Sequence, residues 1–315
     1  MSFYKPENDI KIDDKDITFV LQGPVSSSKS RAQIEGVTEQ NVASIRELFP
    51  SSTIILSTWK GQDVANLDVD KVLLLDDPGQ NSVFNDNEEI KLNNNRQLHS
   101  AHQGLMAVKT RYAAKVRTDN IIKGRGFVDL FERFASAPRV PAISYLKNRV
   151  VTSSTFFISS HIGQPVHFHK SDLFDFGETQ DLLKIWHDLP VPALHFSKRS
   201  GYKSRYPATE QFLCLHWLSR LMNKKLFINT KAGDDAGLGP DFWRTFIAHN
   251  LIVCEPAKMG LDVTERFYQR GNIALEYDLD DWKYMAGLSG KPADKKRLKR
   301  SLKNLEGRLL RRIFK

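Results

Sequence analysis

The stretch Arg111–Lys123, RYAAKVRTDNIIK, decides how the chain is read. Its apolar run from Tyr112 to Val116 has the length and composition of a buried strand, and it stops abruptly at Arg117-Thr118-Asp119. An acid at the carboxyl end of a central parallel strand stands over the crevice where open α/β sheets bind ligands. A buried carboxylate needs a cationic partner. Mg²⁺ bridging a nucleotide diphosphate is one such partner, because it takes one or two carboxylates plus phosphate oxygens. The alternative is a plain surface pair in which Arg117 and Asp119 only cap the strand.

The sequence on either side builds the rest of that sheet. Asp16–Leu21 (DITFVL) reads as a strand that runs into Gln22-Gly23-Pro24-Val25 and a Ser-rich loop, a turn that lets backbone approach a ligand. Thr38–Phe49 has helical apolar spacing and ends at Pro50. Thr53–Leu56 is a strand leading to Ser57-Thr58-Trp59, and Val72–Leu75 another leading to Asp76-Asp77-Pro78-Gly79. Strand, helix and strand in this order imply a parallel sheet with right-handed crossovers. Asp76 or Asp77 is a candidate for a ribose or base contact, although Asp-Pro-Gly is also an ordinary turn. Asn93–Thr110 reads as a helix whose first turn holds Asn95 and Arg96, where free amides and side chains can face an anion.

Beyond Asp119 the spacing predicts a helix over Gly126–Ala135, strands over Val140–Tyr145 and Ser154–Phe157, and a short helix over Gly177–Trp186 containing Asp181. His167 and His169 would alternate to one side of a strand, compatible with either packing or a metal. Leu194–Tyr206 reads as a basic aromatic loop suited to clamping phosphate or acceptor. Thr209 caps a strong helix over Phe212–Met222, which places Glu210 in its first turn as dipole partner or general base. Residues 233–243 form a Gly-rich acidic loop with Asp234, Asp235 and Asp241.

Composition narrows the classes. The chain has 315 residues, 41% of them hydrophobic, enough for a large core. Two cysteines exclude a disulfide framework, and no signal peptide or membrane-length apolar run is evident. A cytoplasmic protein is expected. Residues 291–315 hold eleven Lys/Arg and two Asp/Glu, so the whole formal charge of +9 sits in the tail and the body is balanced. The body is therefore no basic nucleic-acid surface. In the tail, Leu298, Leu302, Leu305, Leu309 and Ile313 recur at helical spacing among basic residues, the pattern of an interfacial amphipathic helix. A flexible lead (1–15), a body (16–290, with a nucleotide-binding half 16–125 and an acceptor half 126–290) and this anionic-membrane-binding tail are the expected divisions.

Several of these stretches recur together in a known family. Asp16–Val25, Ile54–Trp59 (IILSTW), Asp76–Gly79 (DDPG), Asn95-Arg96-Gln97, Lys115–Asp119 (KVRTD), Ser171–Phe174 (SDLF), Asp181–Trp186 (DLLKIW) and Glu210-Gln211 stand here in the same order. Over about residues 16–255 the chain resembles the WavE family of lipopolysaccharide-synthesis proteins, with the lead and tail outside the resemblance. The resemblance implies a GT-A-like (Rossmann-like) α/β fold, a mixed and mostly parallel sheet flanked by helices. It also implies transfer of a sugar from a nucleotide-sugar donor to a lipopolysaccharide, O-antigen or capsule glycan. In that wider group the strand ends in Asp-x-Asp, whose second acid binds metal; here the matching residues are Arg117 and Asp119, so the first acid has become a base. Gln22, Gly23, Pro24, Ser57, Asp77, Asn95, Arg96, Arg117 and Asp119 are then expected to bind the nucleotide sugar, with Mg²⁺ or Mn²⁺ on Asp119. Glu210, backed by Asp172 and Asp181, is expected as the base. The expected location is the inner face of the plasma membrane, with a glycan or glycolipid acceptor and no nucleic acid. The rivals are a polyol-phosphate or nucleotidyl transferase on the same fold, and a non-enzymatic adaptor binding membrane or RNA.

Overall fold

β-Branched and aromatic runs supply seven strands of one sheet, and the loops between them supply the helices that cover it. The computed structural model describes residues 11–27, 33–85, 88–188, 194–196, 208–228, 233–264, 267, 274–292 and 294–313. The first half runs β1 (Ile17–Gln22), α1 (Val37–Leu48), β2 (Thr53–Trp59), β3 (Lys71–Leu75), the hairpin β4 (Asn81–Asn85) and β5 (Glu88–Leu92), α2 (Asn94–Met106), β6 (Tyr112–Arg117), β7 (Asn120–Ile122) and α3 (Gly126–Phe134). The second half begins with β8 (Val150–Ser153), β9 (Ile158–His161), β10 (Gln164–Pro165), β11 (Phe174–Glu178), α4 (Thr179–Ile185), β12 (Leu194–Phe196) and α5 (Thr209–Leu221). It closes with α6 (Phe242–Asn250), β13 (Leu251–Cys254), α7 (Pro256–Met259), β14 (Leu261–Val263), β15 (Ala274–Glu276), α8 (Leu279–Met285) and α9 (Asp294–Ile313).

The central sheet has the order β13-β8-β11-β6-β1-β2-β3. β1 pairs in parallel with both β2 and β6, and β2 with β3. β11 is the reversed strand, antiparallel to β6 and to β8, while β13 pairs in parallel with β8. This is the mixed, mostly parallel α/β sheet flanked by helices that the resemblance implied. β1 and β6 are buried along their whole length, as central strands covered on both faces should be. Between the sheet and α3, Phe19, Phe49, Phe127, Phe131, Phe174 and Phe176 pack largely edge to face. Buried Arg149 donates to the carbonyls of Phe134, Ala137, Pro138 and Ala248, satisfying chain ends that would otherwise be orphaned.

Several expected elements differ. Val140–Tyr145 is no strand: Pro141 fixes φ and lacks an N–H, and Pro141–Ile143 forms a 3-10 turn. The strand lies instead at Val150–Ser153, and Phe156, with φ 63°, breaks the extension expected over Ser154–Phe157. β11 itself was hidden, because Asp175 interrupts its apolar face. That carboxylate is fully buried and accepts from Lys170 Nζ (2.7 and 2.8 Å) and Trp186 Nε1 (2.8 Å). The helix expected from Gly177 consequently starts at Thr179. Phe168 has φ 60°, so His167 and His169 do not alternate along one strand. Of the basic loop Leu194–Tyr206, Leu194–Phe196 form β12 beside β4, and residues 197–206 lie outside the described residues. Both cysteines, Cys214 and Cys254, are free and buried.

The tail is helical, and it is docked as well as amphipathic. Asn304 Oδ1 accepts from Ser160 Oγ at 3.0 Å, and Arg300 Nη2 donates to Asp278 at 2.7 Å. Gly307 lies so close to the β9–β10 turn that a Cβ there would meet the Ile162 carbonyl carbon at 2.6 Å. The apolar stripe points the other way: Leu298, Leu302, Leu305, Leu309 and Ile313 are 51–72% exposed. No described helix is long and apolar enough to cross a membrane.

A close contact at the middle of the sheet gives a stability test. An added Cβ at Gly104 in α2 would sit 2.3 Å from Val20 Cγ1 and 3.2 Å from Ser57 Cβ, both on buried strands. Overpacking of this kind costs about 1–3 kcal/mol, against about 1 kcal/mol gained in helix propensity. Gly104→Ala is therefore expected to lower stability in urea unfolding; a more stable variant would show that α2 can move off the sheet.

Candidate active site

The sheet changes direction of growth between β1 and β6, and in such sheets the crevice beyond the carboxyl ends at that point is the ligand site. Gln22, the last residue of β1, pairs in register with Arg117, the last of β6. The two strand ends are stitched together: Thr118 N donates to the Gln22 carbonyl (3.1 Å), Thr118 Oγ1 to the Pro24 carbonyl (2.7 Å), and Thr38 Oγ1 to the Thr118 carbonyl (3.0 Å). Gly23 has φ 119°, a value that an L side chain rarely adopts, so the turn leaving β1 requires its glycine.

Arg117 is the hub. Its Nε and Nη2 donate to the two oxygens of Asp119 at 2.9 and 3.0 Å, and its Nη1 to Asp172 Oδ2 at 3.3 Å. The Phe267 ring lies 5.2 Å from its guanidinium carbon. Arg117, Asp119 and Asp172 are all nine-tenths or more buried. Asp172 also accepts from Gln97 Nε2, and its backbone carbonyl accepts from Lys115 Nζ. Lys115 lies 4.0 Å from the Trp186 ring centroid. Burial, opposed by Asp172 and Asp175, pushes its amine down to about 7. With the Lys170–Asp175 pair the strand end thus holds three cations among three carboxylates, the balance that burial demands.

His169 joins this cluster to α5. Its Nδ1 shares a hydrogen bond with the Phe156 carbonyl (2.8 Å), and its Nε2 lies 3.7 Å from Glu210 Oε2. Burial pushes the imidazole down to about 4, against the raising influence of the Phe156 carbonyl and Asp172. At neutral pH the ring is uncharged, and Glu210 beside it in the first turn of α5 is only 16% exposed at its side chain.

The remaining expected residues fall into three groups. Gly23, Pro24, Asp77, Asn95 and Arg96 lie at the same edge, with Asn95 and Arg96 in the first turn of α2. Asp77 and Arg96 are joined by Arg96 Nε–Oδ1 (2.7 Å) and a second Nη2–Oδ2 contact, which holds the Asp77 carboxyl below its usual range. Gln22 and Ser57 are buried and occupied within the fold: Ser100 Oγ donates to Gln22 Oε1 (2.9 Å), and Ser57 Oγ to the Ser100 carbonyl (2.7 Å). They clamp α2 to β1 and β2. Asp181 is not brought to this edge at all. β11 runs antiparallel, so Glu178 pairs with Tyr112 at the amino end of β6, and α4 starts there. Asp181 accepts from Lys147 N, Asn148 N and Lys184 Nζ at 2.9–3.0 Å, which ties down a loop. Asp234 and Asp235 cap their own turns through Ala236 N and Gly237 N.

The residues at the carboxyl edge include three that sequence reasoning did not single out. Thr58 Oγ1, both side-chain polar atoms of Asn94, and Gln97 Oε1 are buried without hydrogen-bond partners among the described residues. Buried polar atoms are nearly always paired, so unpaired ones at the ligand edge of the sheet have capacity left for water or ligand. The run NNNRQ carried that signal as an excess of amides, but an amide-rich helix start reads equally as capping.

A metal was expected on Asp119, and the donor set does not fit one as built. Both Asp119 oxygens accept from Arg117, and no group of three or more His, Cys, Asp or Glu is gathered among the described residues.

Comparisons with known proteins agree with the motifs. The family model described as WavE lipopolysaccharide synthesis matches residues 17–315. The chain belongs to the WavE family. The match reaches the end of α9, so the basic tail lies inside the WavE region and not outside it, as the motifs alone had suggested. Comparison with curated proteins returns no match. Among solved structures, the chain is similar to 4-diphosphocytidyl-2C-methyl-D-erythritolsynthase from Anaerococcus prevotii. They share 10% identity over 76% of this chain and 98% of that one, with a TM-score of 0.32. That likeness is too low to bear on chemistry. Membership of the WavE family places the protein in lipopolysaccharide synthesis.

The depressed His169 gives the cluster a pH signature. Between its ordinary value near 6.5 and its folded value of about 4, the unfolded chain binds more protons. Stability is therefore complete above 6.5 and falls as the pH drops through this window, by about 3 kcal/mol from this group. His169→Gln, which can still donate to the Phe156 carbonyl, is expected to flatten the stability profile between pH 6.5 and 4 in urea titrations. An unchanged slope would mean that other groups set the acid sensitivity.

Proposed function

We propose that this WavE protein is a glycosyltransferase that moves a sugar from a nucleotide-sugar donor to a lipopolysaccharide, O-antigen or capsule glycan. The observation that supports it is the juxtaposition, across the β1–β6 switch point, of the Gly23 turn with a buried guanidinium that still has donors to offer. Three of the five N–H donors of Arg117 are used by Asp119 and Asp172. The remaining two suit a diphosphate oxygen, which arginine binds with directed, charge-assisted bonds. Asn95, the Asp77–Arg96 pair and the open amides of Asn94 and Gln97 lie on the nucleoside side.

Transfer then asks for two things. As the bond from C1 to the phosphate oxygen breaks, its electron pair leaves with the diphosphate, and Arg117 meets the charge that develops there. As the acceptor oxygen bonds to C1, its proton passes to Glu210, whose neighbour His169 is neutral and buried. On this reading Asp172 orients Arg117 through Oδ2, which also accepts from Gln97 Nε2. Donor binding on this reading needs no Mg²⁺ or Mn²⁺, since Arg117 supplies the positive charge.

Two experiments test the reading. A panel of nucleotide sugars should raise the unfolding temperature by mass action, with and without EDTA. Arg117→Lys, which keeps the charge and loses the fork, should weaken the best donor about tenfold or more. Glu210→Gln should bind that donor normally and lose turnover. Unchanged donor affinity in Arg117→Lys would end the assignment, and loss of binding in EDTA would restore the metal.

Membrane association is proposed on the same footing, through the exposed stripe of α9. Its five apolar side chains stand among Lys299, Lys303 and Arg312, and each basic residue near an anionic bilayer contributes about 1 kcal/mol. Leu302→Glu with Leu309→Glu should abolish co-sedimentation with phosphatidylglycerol vesicles while leaving the fold intact, since neither side chain is in the core. Retained vesicle binding would assign the stripe to another partner.

A further inference from the structure

A second concave surface lies where α9 meets β9, β10, α6 and α8. It encloses about 610 Å³, within the size range of small-molecule sites. Its floor includes His167, which is only 7% exposed and whose Nδ1 has no hydrogen-bond partner among the described residues. Two cations, Arg244 and Arg308, line the cleft without an ion-pair partner among the described residues, whereas Arg300 is already committed to Asp278 and Asp281. The rings of Tyr277 and Tyr284 form apolar wall, and Asn304 and Ser160 supply small polar groups. Asp241 lines the cleft as well, on the opposite charge.

We infer that this cleft binds a sugar carrying one anionic group, a carboxylate or a phosphate, and that it is the seat of the acceptor glycan. Two uncommitted guanidinium groups would hold the anion. Aromatic rings offer flat apolar faces to the C–H side of a pyranose, and the orphaned His167 nitrogen, Asn304 and Ser160 suit its hydroxyls. Asp241 and the Asp281 carboxylate argue against a polyphosphate, which would meet repulsion there, and suit a singly charged ring whose hydroxyls can donate. His167 also ties the cleft to the helix that carries the candidate base: its carbonyl accepts from Gln211 Nε2 at 2.9 Å, and Gln211 follows Glu210 in α5. The anionic-sugar site stands on its own observations; naming its ligand as acceptor rests on the glycosyltransferase reading.

The full-length chain can be titrated with glucuronate, glucose 6-phosphate, glucose and inorganic phosphate, followed by saturation-transfer NMR and calorimetry. The charged sugars should bind at least about tenfold more tightly than glucose, and than phosphate, because each adds a charge-assisted contact to ring contacts. Whichever of glucuronate and glucose 6-phosphate binds better identifies a carboxylate or a phosphate as the anion. Arg244→Gln with Arg308→Gln should reduce that ligand to the level of glucose, while nucleotide-sugar binding and the unfolding temperature stay unchanged. Inorganic phosphate binding as tightly as glucose 6-phosphate, no effect of the double variant, or no binding of any charged sugar would each overturn the site. Charged-sugar binding in a protein that binds no nucleotide sugar would keep the site and remove the transferase reading; the converse would remove the site alone.

Discussion

A guanidinium removed from water must be surrounded by acceptors, and Arg117 is surrounded by two carboxylates that are themselves out of water. Each member of this triad is tolerated only because of the others: taking one away leaves an uncompensated buried charge, a loss of about 3–5 kcal/mol. The chain invests heavily in meeting that demand. Asp119 is two residues downstream on the same strand end, and Asp172 is supplied by the segment entering β11. Lys115, Gln97 and the Lys170–Asp175–Trp186 group complete the balance. The position of the reversed strand is thus tied to the electrostatics of the site, since β11 carries Asp175 into the core beside β6 and brings Asp172 to Arg117.

This arrangement changes how the departure from Asp-x-Asp is understood. A carboxylate in place of Arg117 would leave two neighbouring acids, and a divalent cation would be needed to hold them together. With arginine there, the positive charge is covalently part of the strand, fixed in direction by a planar fork. Asp119 accepts from that fork through both of its oxygens.

The first half of the fold was legible because its strands are apolar-rich runs leading into polar residues, as in Ile17–Gln22, Thr53–Trp59 and Tyr112–Arg117. Burial on both faces writes itself into composition. The second half was not, for reasons visible in single residues. Asp175 places a charge inside a core strand, and Phe156 and Phe168 adopt left-handed backbone, each set by a tertiary contact or turn that local pattern does not encode, whereas Pro141 is a local signal against the strand expected over Val140–Tyr145. At the site, Arg117, Asp119, Asp77, Arg96 and Glu210 could be picked out as charges next to strand or helix ends. Gln22, Ser57 and Asp181 could be picked out by the same logic, yet Gln22 Oε1, Ser57 Oγ and the Asp181 carboxylate are engaged within the fold. Position at an element end identifies who can reach a ligand, while the hydrogen-bond inventory identifies who has anything left to give it.

The contact between Gly307 and the Ile162–Gly163 turn has a consequence for geometry on a larger scale. Because helix backbone rests directly on turn backbone there, α9 has no side-chain cushion on which to roll. Its leucine edge is held at one fixed bearing around the helix axis, and the mouth of the neighbouring cleft is held at another. Any flat surface that captures that edge will therefore tilt the whole molecule to a single attitude and present the cleft at a constant height above the plane.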